Sequence, residues 1–224
     1  MGYYIDLEKI TLDDYKQKLE HAYLPPSRMI LKEKLDERFA CFKNLGINNV
    51  KQLILLLKKK DNLAELSKID CFSTDYLTIL LRELNSTLPK PSKISEFSGI
   101  SSDTVSKLET VGIKNTENLY CKVITKPDRQ KLAQQTGLHE DIILELTKLT
   151  DLSRIKWVGV TFARMLYDLG VDTVEKASKA DVEELHKRIN QLNKENSIYK
   201  GAIGLNDIKI VVNAAKEIPL EIEY

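Results

Sequence analysis

The chain has 224 residues, of which 42% are hydrophobic and 30% are charged. Its 34 Lys and Arg against 33 Asp and Glu give a formal net charge of +1, so no strong overall field attracts nucleic acid or a membrane surface. With 9 Gly and 6 Pro, the composition excludes a collagen-like chain, a Gly-rich linker or a turn-rich β-sandwich and favours helices.

The first residues contain no basic segment followed by an apolar stretch, which predicts no signal peptide and a cytoplasmic location. The longest apolar run is residues 53–57, far short of the roughly 20 residues that a membrane span needs. We therefore expect no membrane among the partners.

Helical patterns follow one another along the chain. A Thr cap with two Asp residues in the first turn predicts a helix over residues 11–22. Pro25 and Pro26 are expected to end it and to open a helix through Lys43. Further helices are expected over residues 48–58, 61–68, 73–86, 101–111, 115–122, 127–135, 139–150, 160–169, 173–177, 180–193 and 206–217.

A short pattern, aliphatic-Gly-Ile/Val-x-Asn/Thr, occurs at residues 45–49, 111–115 and 169–173. The offset from the first to the second also aligns Leu66 with Leu132 and Leu77 with Ile143. We predict that each Gly ends a helix in the left-handed conformation, and that the Asn or Thr caps the next helix.

This repeat predicts three units of short helices, with a Pro-containing linker at residues 88–92. The predicted segments are an N-terminal extension (1–24), unit 1 (25–87), unit 2 (88–151), unit 3 (152–218) and a C-terminal tail (219–224). Residues 3–7 and the tail look extended, and we expect them either to pair as short β-strands or to lie along the helices.

Residues 152–177 resemble the helix-hairpin-helix motif of DNA-repair and recombination proteins. Gly159 matches the second hairpin Gly, Ala163 the small packing residue and Leu166 the following core position. Trp157 stands in the place of the first Gly, and we expect it to pack inward as a core anchor.

Over residues 25–217 the chain resembles the bacterial family called domain of unknown function 4332, which is understood as tandem helix-hairpin-helix-like units. The resemblance implies an all-α fold of the SAM or helix-hairpin-helix type. It also suggests nucleic-acid binding, and it implies no enzymatic activity.

A helix-hairpin-helix turn holds a phosphate through backbone N–H groups at the start of its second helix, without sequence specificity. The residues expected to do this in the better hairpin are Lys156, Val158, Gly159, Val160, Thr161 and Arg164. In a second hairpin they are Gly99, Ser101, Ser102 and Lys107. Because no unit is strongly basic, we expect weak, salt-sensitive binding.

Other chemistries find little support. The three Cys residues are far apart and odd in number, which predicts buried reduced thiols, and the three His residues lack metal-ligand spacing. No phosphate-binding loop or nucleophile elbow is present, so we expect no catalytic residue, no metal held by side chains and no cofactor. The sequence leaves open whether hairpin carbonyls hold a monovalent cation.

The leading hypothesis is a non-enzymatic protein that binds DNA or RNA backbones. The competing hypothesis is a protein-interaction scaffold whose degenerate hairpins only pack the units together. A glycosylase or lyase is a distant third, since it needs an Asp or Lys at a base pocket. Asp172 and Asp181 are available for that role, but we expect both to cap helices.

Overall fold

The computed structural model describes residues 2–224 and is all-helical over that range. Its α-helices are α1 (Leu12–His21), α2 (Leu35–Asn44), α3 (Val50–Lys58), α4 (Lys60–Leu66), α5 (Thr74–Asn85), α6 (Ser102–Thr110), α7 (Thr116–Tyr120), α8 (Lys126–Thr136), α9 (Glu140–Leu152), α10 (Val160–Asp168), α11 (Val174–Lys179), α12 (Val182–Asn196) and α13 (Leu205–Ala215). Two 3-10 helices cover Pro26–Lys32 and Ile94–Glu96. Within the described residues, no helix combines the length and the apolar character that crossing a membrane requires.

The chain divides into two compact units, and the division falls in the segment predicted as a linker. One unit is Ile5–Leu88, and the other is Pro89–Tyr224 together with residues 2–4. The first unit has its own apolar core, to which α1, α2, α3 and α5 contribute buried side chains. The second unit holds two clusters of buried apolar residues. The finer division into three repeated units stays a prediction.

Three glycine turns share one backbone geometry, and the predicted left-handed conformation is confirmed. The φ angles of Gly46, Gly112 and Gly170 are 80°, 81° and 76°. At the first turn the N–H of Gly46 donates to the carbonyl of Lys43, and that of Ile47 donates to Phe42 at 3.2 Å. Both other turns repeat the two bonds, which satisfy the last carbonyls of the preceding helix.

The residue expected to cap the next helix does so in all three places. The side chains of Asn49, Asn115 and Thr173 accept hydrogen bonds from backbone N–H groups in the first turns of α3, α7 and α11. Each cap supplies a partner for an N–H group that the helix cannot bond internally. The five-residue pattern therefore ends one helix and begins the next.

The single helix expected from Pro26 to Lys43 is wrong. A 3-10 helix covers Pro26–Lys32, and α2 begins only after Lys34, whose φ is 48°. The guanidinium of Arg38 donates to the carbonyls of Ile30 and Glu33 at 2.9 and 2.8 Å. Since these carbonyls have a side-chain donor, the chain can break there without leaving them unsatisfied.

The expected terminal β-strands are also wrong, because no sheet forms in residues 2–224 beyond two isolated bridges. The ends instead contact helices of their own unit: the hydroxyl of Tyr3 lies 2.8 Å from that of Thr116 in α7, and the hydroxyl of Tyr224 donates to Asp151 in α9 at 3.0 Å. Both ends meet at Arg154, which is 2% exposed. Its Nε donates to the carbonyl of Tyr3 at 3.1 Å, and its Nη2 donates to that of Pro219 at 3.2 Å.

Candidate nucleic-acid interface

The turn between α9 and α10 is held by two buried residues. Ile155 and Val158 both belong to the apolar core of this unit, and the N–H of Val158 donates to the carbonyl of Ile155 at 3.0 Å. Gly159 is the N-cap of α10, whose inner face buries Phe162, Ala163 and other apolar residues. This packing fixes the position of the helix start.

Trp157 is not the core anchor that its position suggested. Its φ is 69°, and the residue is 40% exposed. The Nζ of Lys156 lies 4.3 Å from the centroid of its ring, which is within the range of a cation–π interaction. Ile155 and Val158 take the inward positions of this short turn, so Trp157 between them contributes an aromatic surface beside a cation.

The start of α10 differs from every other α-helix start in residues 2–224. Gly159 provides no side-chain cap, and the first turn of the helix contains no acidic residue. Each other α-helix of that range has a side-chain cap, an acid in its first turn, or both. The partial positive charge of the helix dipole at this end is therefore not offset by the helix's own residues.

Thr161, in the first turn of α10, is exposed, and its side chain is hydrogen-bonded to that of Tyr199. Burial raises the pKa of Tyr199, and the hydrogen bond between Tyr199 and Thr161 opposes that rise. Tyr199 is 40% exposed, as Trp157 is. Two partly exposed aromatic residues thus belong to the surroundings of this helix start.

Arg164 is on the same helix, but acidic side chains balance its charge. Its Nη2 lies 2.6 Å from the Oε1 of Glu145, and its Nη1 lies 3.5 Å from the Oδ1 of Asp168. A Cβ atom added at Gly99 would lie 3.5 Å from the same Nη2. The structure therefore brings the two predicted hairpins together at Arg164.

At the second candidate hairpin, the N-terminal helix cap and the partner of the lysine both come from the hairpin's own residues. Gly99 has a φ of 84°, as a tight turn requires. Ser101 caps α6 by accepting from the N–H of Thr104 at 3.1 Å, and Lys107 pairs with Asp103 at 2.8 Å. Ser102 begins the helix at an exposed position. Its serine cap and first-turn acid make this start a poorer anion site than that of α10.

The two Asp residues considered for a base pocket have structural partners. Asp181 caps α12 as expected. Asp172 does not cap a helix; it pairs with Lys148 and Lys176 at 2.5 and 2.6 Å. Burial alone would raise the pKa of Asp172, but the two lysines outweigh it and hold that pKa below its usual value.

The thiols differ from the expectation of three buried side chains. Cys71 is buried, Cys41 is half-buried and Cys121 is exposed. In the part of the chain that the structure describes, no group of three or more His, Cys, Asp or Glu residues could hold a metal ion.

Sequence reasoning missed the partners of the predicted residues. Asp168 could have been noticed, because it lies four residues after Arg164 on the same helix face. Glu145 and Tyr199 carry no local signal, since tertiary packing brings them to α10. The exposure of Trp157 depends on which neighbours fill the core, and the pattern of the turn does not reveal that.

These elements define an all-α protein. A family model described as Domain of unknown function (DUF4332) matches residues 98–218, more than half of the chain, and the protein belongs to this family. The matched range includes both candidate hairpins. No curated protein and no solved structure matches the chain.

Proposed function

We propose that the protein binds nucleic acid without catalysing a reaction, and that it holds backbone phosphates of DNA or RNA at the start of α10. One observation carries the proposal: at the start of α10, which the structure describes, the helix has neither a side-chain cap nor an acidic residue in its first turn. A phosphate supplies the negative charge that such a helix end favours.

The contacts follow from the order of residues in the turn. The backbone N–H groups of Val160 and Thr161, at the first two helical positions, donate to phosphate oxygens. Lys156 adds a positive charge beside the turn, and the exposed ring of Trp157 offers a face on which a base can stack. Gly159 has no side chain to obstruct a phosphate.

Two other predicted cations are paired with acidic side chains. Arg164 is paired with Glu145 and Asp168, so it joins α9 and α10 and adjoins Gly99. Lys107 is paired with Asp103. Because Arg164 and Lys107 are both paired with acids, we expect about two phosphate contacts and a dissociation constant on the order of 10 μM at low salt.

A protein-interaction scaffold is the second candidate. It is favoured by the partly exposed rings of Trp157 and Tyr199, together with the acidic partners of Arg164. Aromatic side chains are enriched in protein interfaces, where charged residues are depleted at the centre. Binding of this kind would depend little on salt.

The test is a binding titration with single- and double-stranded DNA and RNA at salt concentrations from about 50 to 200 mM. For the wild type, log K should fall with log salt with a slope of roughly −2. Thr161→Asp places an acid in the first turn of α10, where it stabilises the helix and repels phosphate, so affinity should fall about tenfold or more. Lys156→Ala should reduce the slope by about 1.

The matched control is Asn213→Asp, which makes the same charge change at an exposed position of α13. This variant should bind like the wild type. Absence of binding at low salt, or equal binding by Thr161→Asp and Asn213→Asp, would contradict the proposal. Salt-indifferent capture of a protein partner that is lost with Trp157→Ala would favour the scaffold instead.

A further inference from the structure

Two thiols in the unit Ile5–Leu88 lie next to each other, although 30 positions separate them in the sequence. The Sγ atoms of Cys41, in α2, and Cys71, in the segment before α5, are 3.1 Å apart. Cys71 is 4% exposed, while Cys41 is half-buried and closer to solvent. A disulfide bond is about 2.05 Å long, so the sulfurs would need to approach by about 1 Å.

The surrounding core holds both backbone segments in place. Phe42 and Phe72, the residues that follow the two cysteines, stack with their ring centroids 4.6 Å apart. Arg38 donates from its Nε to the carbonyl of Cys71 at 2.9 Å and lies 3.9 Å from the ring centroid of Tyr76. The proximity of the thiols is therefore fixed by packing on both sides.

We propose that Cys41 and Cys71 form a redox-active dithiol that small-molecule disulfides, such as glutathione disulfide, oxidise to an intramolecular disulfide. The site lies in a different unit from α10 and uses none of the residues of the proposed nucleic-acid interface. Its failure would therefore leave that proposal untouched.

The reaction has two exchange steps. The thiolate of Cys41, the more accessible group, attacks one sulfur of glutathione disulfide and releases one glutathione, which leaves a mixed disulfide. The thiolate of Cys71 then attacks the Sγ of Cys41 and displaces the second glutathione. The two thiols are oxidised, glutathione disulfide is reduced to two glutathione molecules, and the two protons are taken up by the leaving thiolates.

The buried partner limits the second step. Burial raises the pKa of the Cys71 thiol to about 11, and the hydrogen bond with Cys41 adds to the rise. Since only the thiolate attacks, the rate of ring closure should rise about tenfold for each unit by which the pH increases, as long as the pH stays below that pKa. The oxidised form should therefore appear faster at pH 8 than at pH 7.

The experiment incubates the full chain with glutathione disulfide, blocks remaining thiols with iodoacetamide and maps tryptic peptides by mass spectrometry. Trypsin places Cys41 in residues 39–43 and Cys71 in residues 69–82. We expect these two peptides to be joined by a disulfide in the monomeric protein, with a mass about 2 Da below the sum of the two free peptides because two hydrogens are removed. Dithiothreitol should reverse the change.

Exposed Cys121 is an internal control, because we expect it to form only a mixed disulfide with glutathione. The variants Cys41→Ser and Cys71→Ser should lose the joined peptides, and Cys71→Ser should accumulate glutathione on Cys41. The proposal is overturned if, under conditions that modify Cys121, Cys41 and Cys71 carry separate glutathione groups or stay reduced.

Discussion

Gly46, Gly112 and Gly170 show how single residues set the direction of this chain. A positive φ places the Cβ of an ordinary residue against its own carbonyl, which costs roughly 1–2 kcal/mol, whereas Gly adopts it readily. At each position the N–H groups of the Gly and of the residue after it also donate to two carbonyls of the preceding helix. Because both requirements are local, the sequence pattern was enough to predict them.

Gly112→Ala tests the backbone requirement by itself. Among the described atoms, none lies within 4 Å of a Cβ built at Gly112, so the substitution adds strain without a clash. We expect it to lower the free energy of unfolding by about 1 kcal/mol in urea denaturation. Gly201→Ala is the matched control, since Gly201 is equally uncrowded and lacks a positive φ. Equal losses in the two variants would contradict this explanation.

The individual side chains of the candidate site were harder to predict than the turns. The hairpin pattern is local, so the sequence alone was enough to propose Gly159, Lys156 and Thr161 as phosphate-binding residues. It could not indicate that Arg164 is paired with Glu145, which lies 19 positions away, since only the packing of α9 on α10 brings them together. The same reason explains why the proximity of Cys41 and Cys71 was not foreseen.

At the scale of elements, capping and hydrophobic spacing located most helices. For every predicted helix except the one expected between Pro26 and Lys43, both ends fall within three residues of the prediction, and within residues 2–224 only the short 3-10 helix Ile94–Glu96 was not predicted. The exception depends on Arg38, whose guanidinium binds carbonyls on the other side of the break. Helix propensities and hydrophobic spacing do not reveal that a side chain beyond the break will bind these carbonyls. They also do not reveal the buried contacts that hold the two chain ends in place.

At the scale of the whole molecule, the buried ion pair of Arg154 and Asp151 forms hydrogen bonds with both chain ends, within the unit that contains α10. Arg154 lies 2.8 Å from Asp151, and the Oδ2 of Asp151 also accepts hydrogen bonds from the N–H of Val174 and the hydroxyl of Tyr224. Burial raises the pKa of Asp151 against the opposing charge of Arg154. Every remaining partner of this carboxylate therefore matters for stability.

Tyr224→Phe removes one of those partners while keeping the ring. Because the buried carboxylate loses a donor, we expect the free energy of unfolding to fall by about 1–3 kcal/mol in urea denaturation. Tyr199→Phe should cost less, because the partner of Tyr199 is the exposed residue Thr161, which water can solvate, whereas the partner of Tyr224 is the buried carboxylate of Asp151. A Tyr224→Phe protein as stable as the wild type would show that the tail does not stabilise the buried pair.

Isotope-edited NMR of the full chain, titrated with a short single-stranded oligonucleotide at low salt, tests most directly whether the start of α10 holds phosphate. The account predicts that the largest amide shifts occur at Gly159, Val160 and Thr161, with the indole N–H of Trp157 moving at the same ligand concentrations. Thr161→Asp should remove these shifts. Unchanged amides at the start of α10, or shifts confined to other helices while binding occurs, would contradict it.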